Sequence, residues 1–151
     1  MASKSAGILL YNRNDDGVRV LLVHPGGPFW AKKDLGAWSI PKGEYDDESP
    51  EAAARREFAE ETGMALTAPI VSLGDVRQTS GKRVTAFATE GSFDPATLVS
   101  NLFEMEWPPK SGRRQSFPEV DRAEWFSPDE ARRRLIPAQA AFIDRLLTHL
   151  A

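Results

Sequence analysis

The chain has 151 residues, a formal net charge of −3, no cysteine and two histidines. That length suits one domain, which buries roughly two thirds of its unfolded surface without a disulfide or structural metal. The absent thiols exclude a disulfide framework, a thiolate zinc site and a cysteine nucleophile, and the acidic balance speaks against a general nucleic-acid binder, which carries a basic face.

The opening stretch, MASKSAGILLYN, is too short and too weakly apolar for a signal peptide or membrane span, so a soluble cytoplasmic protein with no membrane partner is expected. Ala6 to Asn12 and Val18 to His24 are apolar, β-branched runs joined by Asn-Asp-Asp-Gly, which predicts a hairpin. His24 reads as a strand-end residue. A long irregular stretch follows to about Ala37, and its aromatics predict a packed loop. Trp38-Ser39-Ile40 should return to the sheet. Trp30 and Trp38 serve either as ordinary packing or as a face on which a base stacks at a pocket mouth.

The next stretch carries the chemistry. Ser49 suits an N-cap, Pro50 the first helical position and Gly63 a left-handed C-terminal residue, which predicts a helix from Pro50 to Thr62, about three and a half turns. Ala53, Ala54 and Phe58 can face a sheet. Glu57, Glu60 and Glu61 fall at i, i+3 and i+4, so three carboxylates share one side. Like charges at that spacing repel by about a few tenths of a kcal/mol per pair, which either water or a cation must relieve. Gly43, in the preceding SIPKG loop, lets the backbone approach a ligand closely.

Beyond the helix, Ile70 to Thr79 and Lys82 to Glu90 predict a second hairpin around Ser80-Gly81. Leu98 to Trp107 is a mixed apolar and acidic run that can form a strand, with Glu104 and Glu106 on one face, and Pro108-Pro109 ends it. Lys110 to Pro118 is a local basic cluster, read as an exposed loop in which Arg113 or Arg114 can meet phosphate through paired guanidinium donors. Glu119 to Phe126 predicts a final strand. Ser127-Pro128 starts a helix, and Pro137 starts a last one in which Phe142, Ile143, Leu146, Leu147 and Leu150 repeat at helical spacing. Strands, one helix, more strands and then helices suggest an α/β fold, a mixed sheet covered by helices on both faces.

The run Arg56-Glu57-Phe58-Ala59-Glu60-Glu61-Thr62-Gly63-Met64 resembles the REUxEExGU core of the Nudix box, with U a bulky apolar residue. Upstream, Gly43 and Glu48 resemble the first Gly and first Glu of that box, with four residues between them where the pattern has five. SIPKGEY, AARREF and FPEVDRAEWF are similar to a bacterial group of NTP pyrophosphohydrolases within the Nudix hydrolases. The resemblance implies an α/β/α sandwich over residues 1–151 as a single domain, with the box helix beside the active site. It implies Glu57 and Glu61 as principal metal ligands, Glu60 as an additional ligand or water-holder, and the Gly43 carbonyl as a further ligand. Arg56 would pair with Glu48 to set the loop against the helix, and Lys42 would touch phosphate. A further acidic residue beyond the box often joins the metals or activates water, which brings in Glu104, so Glu57 and Glu104 are both candidates for the general base.

The expected activity is hydrolysis of a phosphoanhydride in a nucleoside diphosphate linked to another group. Such a bond yields to water when its charge is neutralised and the water is deprotonated near neutral pH, for which carboxylate-bound Mg²⁺ or Mn²⁺ is suited. Trp38 beside the PKG loop inclines the choice towards a dinucleoside polyphosphate or nucleoside triphosphate. The alternative from another class is a Nudix-like sensor or interaction module that binds a nucleotide without turnover. Oligomeric state is not legible in the chain.

Overall fold

The computed structural model describes residues 3–151, so the reading of the extreme N-terminus lies, at Met1 and Ala2, outside the described residues. The first hairpin is longer at both ends than its apolar runs, with β1 at Lys4–Asn14 and β2 at Gly17–Pro25. The short β3, Lys42–Glu44, leads to α1, Pro50–Thr62. After it come β4, Val71–Arg77, and β5, Arg83–Glu90, the second hairpin. The basic stretch read as a loop instead contributes β7, Arg114–Pro118, which pairs antiparallel with β6, Leu102–Glu106. β8 at Val120–Phe126, α2 at Pro128–Arg134 and α3 at Ala140–Leu150 complete the chain. A single 3₁₀ turn, Pro137–Gln139, precedes α3, so Pro137 opens that turn and not the helix itself.

The main sheet runs β4-β5-β1-β2-β8, with β3 also paired to β1; β1 and β5 are parallel and the other pairs antiparallel. β6 and β7 form a separate two-stranded sheet. Period-two alternation splits β1 between two cores. Ala6, Ile8 and Leu10 pack with Ala53, Ala54 and Phe58 of α1 on one face. Leu9 and Tyr11 pack with Phe142, Ile143 and Leu146 of α3 on the other. A sheet buried on both sides reads as continuous apolar runs, as β1 and β2 do.

Two features of β1 position the site. Its N-terminal part pairs with β3 (Ala6 opposite Gly43) and its C-terminal part with β2 (Tyr11 opposite Val20). Between those ladders the 38–41 segment wedges in, with Val23 and Ser39 exchanging backbone hydrogen bonds of 2.9 and 3.0 Å and Ile8 N–H donating to Pro41 O at 3.1 Å. Trp38 is thereby fully buried, its indole edge-on to His24 and Phe126. Among the described residues no helix is long and apolar enough to cross a membrane.

Candidate active site

The box helix is closed at both ends as its sequence dictates. Ser49 accepts from Ala52 N–H at 3.2 Å, and Gly63, at φ 85°, donates to Ala59 O at 2.8 Å. A left-handed φ is open to glycine at little cost, so the chain leaves the helix here. The inner face of α1 carries Ala53, Ala54 and Phe58, and with them Glu57, only 7 % exposed. An acid at a packing position of a helix is costly unless something compensates its charge.

Gly43 supplies the room for that acid. A Cβ built on it would lie 2.0 Å from both Cδ and Oε2 of Glu57. β3 therefore lies directly against the Glu57 carboxylate, and any side chain at 43 would occupy its place. One turn on, Glu61 Oε1 accepts from Lys42 N–H at 3.1 Å, so β3 backbone touches two box carboxylates. The four-residue connection from Gly43 to Glu48 is absorbed by an exposed bend that leaves these contacts in place.

Arg56 is the local cation. Its guanidinium reaches Glu48 through Nε and Nη2 (2.6–3.0 Å), Glu57 through Nη1 at 2.7 Å and Glu60 at 3.3 Å. Charge-assisted pairs of this kind fix geometry more than they stabilise, because Arg56 and Glu48 are both partly solvated. Burial pushes the Glu57 carboxyl above its usual range, against the hydrogen bond from Arg56. Burial pushes Glu61 up to about 8, Lys42 opposing it and Glu119 and Glu57 adding to it.

Glu119 is the acid that the sequence reading missed. It stands between β7 and β8, held by two backbone hydrogen bonds, its N–H donating to Asn101 O at 2.8 Å and Gly26 N–H to Glu119 O at 2.9 Å, while Asn101 N–H donates in turn to Glu60 O of the box helix at 2.9 Å. Burial, and then the charge of Glu60, raise its carboxyl above the ordinary range. Its local signals were its place at the start of a strand and within FPEVDRAEWF; what brings it to the box is long-range pairing.

Glu104, expected to fill that place, is on the other face. Phe103 and Met105 of β6 turn towards Glu61 and Glu119, and strand alternation puts Glu104, opposite Ser116, into solvent. Arg113 lies at the exposed tip of the β6–β7 hairpin, on the order of 20 Å along the strand from Glu119. Trp38 has no free face for a base: its Nε1 donates to Asp34 Oδ1 at 2.7 Å and its ring lies inside the core. Trp30 is half-buried and lines both clefts of the site. Its loop is anchored by buried His24, which bonds Asp121 Oδ1 at 2.8 Å and Lys33 O at 2.6 Å, and by Asp34, which accepts from Arg134 at 2.8 Å.

Two clefts meet at Glu61 and Glu119, both flanked by Trp30. One, of about 440 Å³, is lined by Phe29, Trp30, Phe103 and Met105. The other, of about 380 Å³, is lined by Lys42, Gln78, Ser80 and Lys82. A larger concavity of about 670 Å³ lies at the far end of α1, and its one acid, Asp94, caps a 3₁₀ turn by accepting from Ala96 N–H at 3.0 Å. Glu61 and Glu119 therefore open onto the pair of clefts and not onto this concavity. Trp30→Ala is expected to raise KM for a nucleotide about tenfold, the size of one lost base–aromatic stack, with the fold retained. Trp38→Phe is expected to leave KM within about twofold and to lower stability by about 1–2 kcal/mol through the lost bond to Asp34 and the lost volume; steady-state kinetics and urea melts separate the two.

Among the described residues no three acidic side chains converge as a ready metal cage, Arg56 bonding both Glu57 and Glu60. The donor chemistry nonetheless fits a hard divalent ion: carboxylate oxygens, two of them in Glu57 and Glu61, whose carboxyls burial pushes up.

A NUDIX domain model matches residues 1–146. Among solved structures, the fold is similar to that of the NUDIX domain of Shewanella oneidensis NrtR complexed with ADP ribose, at TM-score 0.69 and 19 % identity over 100 % of this chain and 90 % of that one. It is similar to a C. elegans Ap4A hydrolase in a binary complex, at TM-score 0.65 and 18 % identity over 99 % and 98 % of the two chains. A NUDIX hydrolase from Nitrosomonas europaea gives TM-score 0.66 and 23 % identity over 99 % and 90 %. At such identities the structural likeness speaks for the fold, and the match along nearly the whole chain speaks for the family. This protein belongs to the NUDIX domain family.

Proposed function

We propose that residues 1–151 act as one Nudix domain that hydrolyses a phosphoanhydride in a nucleoside diphosphate linked to a second group, a dinucleoside polyphosphate or nucleoside triphosphate in preference. The observation that carries the reading is the junction of an aromatic cleft and a lysine-lined cleft at Glu61 and Glu119. A base and a phosphate chain need those two environments on either side of the bond to be broken. The ADP ribose in the Shewanella NUDIX domain and the Ap4A hydrolase activity of the C. elegans protein support a nucleotide-type ligand.

On this reading Glu57 and Glu61 hold Mg²⁺ or Mn²⁺, with Glu60 and the Gly43 carbonyl as further donors. The ion, when bound, offsets phosphate charge and makes a bound water more acidic. Lys42, its ammonium buried beside the cluster and held below its ordinary pKa by burial and then by Lys82, faces phosphate. Trp30 and Phe103 orient the base. Glu119, in the role first given to Glu104, completes the carboxylate set and holds the attacking water. Arg56 ties Glu48 to Glu57 and Glu60 and so sets the loop against the helix.

The test is a panel of diadenosine tetraphosphate, ATP, ADP-ribose and UDP-glucose, each with Mg²⁺, Mn²⁺ or EDTA, read as phosphate, pyrophosphate or nucleoside monophosphate released. Metal-dependent release from at least one compound is expected. Within it, Glu119→Gln is expected to lower kcat by about a hundredfold or more, the usual contribution of a positioned proton acceptor, and Glu104→Gln by less than about twofold. The reverse order would return the role to Glu104.

A further inference from the structure

The lysine-lined cleft carries a feature that hydrolysis alone does not require. Lys82 follows the β4–β5 turn, whose backbone is closed by Gln78 N–H to Lys82 O at 2.9 Å and Gly81 N–H to Gln78 O at 2.8 Å. That turn is fixed from below. Buried Gln139 donates to Gln78 Oε1 at 3.1 Å and to Ser39 Oγ at 3.1 Å, while its own Oε1 accepts from Ile40 N–H at 3.0 Å. One side chain thus locks the turn to the segment that runs directly into Lys42. Lys82 is mostly covered, 27 % exposed, and among the described residues its ion pair is a 3.5 Å contact to Glu44, which is 62 % exposed. A solvated partner at that distance holds an ammonium weakly. Lys42 and Lys82 line this cleft together with Glu61 and Glu119, which stand where it meets the aromatic cleft, and the two ammonium groups present donors to an anion.

We propose that Lys82 is a specificity residue: held on a turn braced by Gln139, it receives the anionic far end of the substrate, so that the group beyond the cleaved bond is a phosphate chain and not a neutral sugar. The proposal rests on the hydrolase reading of the site. It assigns the aromatic cleft to the base and the Lys42–Lys82 cleft to phosphates continuing past Glu61.

The experiment compares wild type, Lys82→Ala and Lys82→Arg with Mg²⁺ on ATP, diadenosine tetraphosphate and ADP-ribose. Binding of α,β-methylene-ATP and of ADP-ribose is measured by calorimetry in parallel. The selectivity ratio, kcat/KM for a polyphosphate substrate over that for ADP-ribose, is expected to fall about tenfold in Lys82→Ala, the loss of one charge-assisted contact, and to be largely kept in Lys82→Arg. A fall for ATP alone or for diadenosine tetraphosphate alone supports the proposal and names which polyphosphate the cleft takes. An equal loss on all substrates, or none, overturns it. Absence of turnover by wild type would count against the hydrolase reading, and the ratio of the two dissociation constants would still decide the role of Lys82, overturning it if Lys82→Ala leaves that ratio unchanged.

Discussion

Glu61→Gln is expected to lower kcat on the order of a thousandfold, because the substitution keeps shape and the acceptor for Lys42 N–H but removes the charge that a divalent ion needs. Glu57→Gln should act similarly. In the absence of metal the same change should stabilise the protein. A carboxyl pushed up to about 8 by burial, against an unfolded value near 4.3, opposes folding wherever the unfolded chain is ionised and the folded one would bind the proton. The penalty is absent below about pH 4, grows as pH rises and is complete above about 8. Calorimetry in EDTA at pH 8.5 should show Glu61→Gln melting about 3–6 °C above wild type, with no difference at pH 4. A lower Tm at both pH values would mean that Glu61 is held by contacts its charge is needed for.

Gly43→Ala is expected to be as damaging to activity, and here stability falls too. The new methyl would sit 2.0 Å from Glu57 Cδ, with backbone paired to β1 on one side and a helix packed on the sheet on the other. Neither can retreat cheaply in a close-packed interior, so the glutamate must swing out of its position. We expect kcat/KM to drop by about a hundredfold or more and Tm to fall. Gly43→Ala combined with Glu57→Asp tests the cause, since the shorter acid vacates the contested space. The double variant should melt close to Glu57→Asp alone while staying inactive, a non-additivity that reports direct contact. Additive losses in Tm would show that the methyl clashes with something other than Glu57.

What could be read from the chain was what is local. The helix from Pro50 to Thr62 has its start, stop and acidic side written in neighbouring residues, and the structure has the same bounds. The two hairpins and the apolar stripe of α3 follow from period and turn residues in the same way. Glu119 was not legible because, although it falls within the FPEVDRAEWF stretch, nothing local sets it apart from the other acids there. It reaches the box through Asn101 and Gly26, contacts made across 18 residues on one side and 93 on the other. Glu104 attracted attention by charge and spacing, yet the register of β6 against β7 turns it outward, and register is a long-range property. The two tryptophans illustrate the same division. Trp30 lies in the irregular stretch and Trp38 just after it, but Trp38 is drawn under the sheet edge by its own bridge to Leu135 and that of Ser39 to Val23, which leaves Trp30 at the cleft.

Water, and not merely a nucleotide, is expected to be used beside Glu57, Glu61 and Glu119. Turnover of diadenosine tetraphosphate or ATP with Mg²⁺ in H₂¹⁸O, read by mass spectrometry of the products, tests it most directly. One ¹⁸O in a single phosphorylated product per bond cleaved, abolished by EDTA and by Glu61→Gln, is the predicted result. Tight nucleotide binding with no labelled product under Mg²⁺ or Mn²⁺ would contradict the account and make this chain a binding module on a Nudix scaffold.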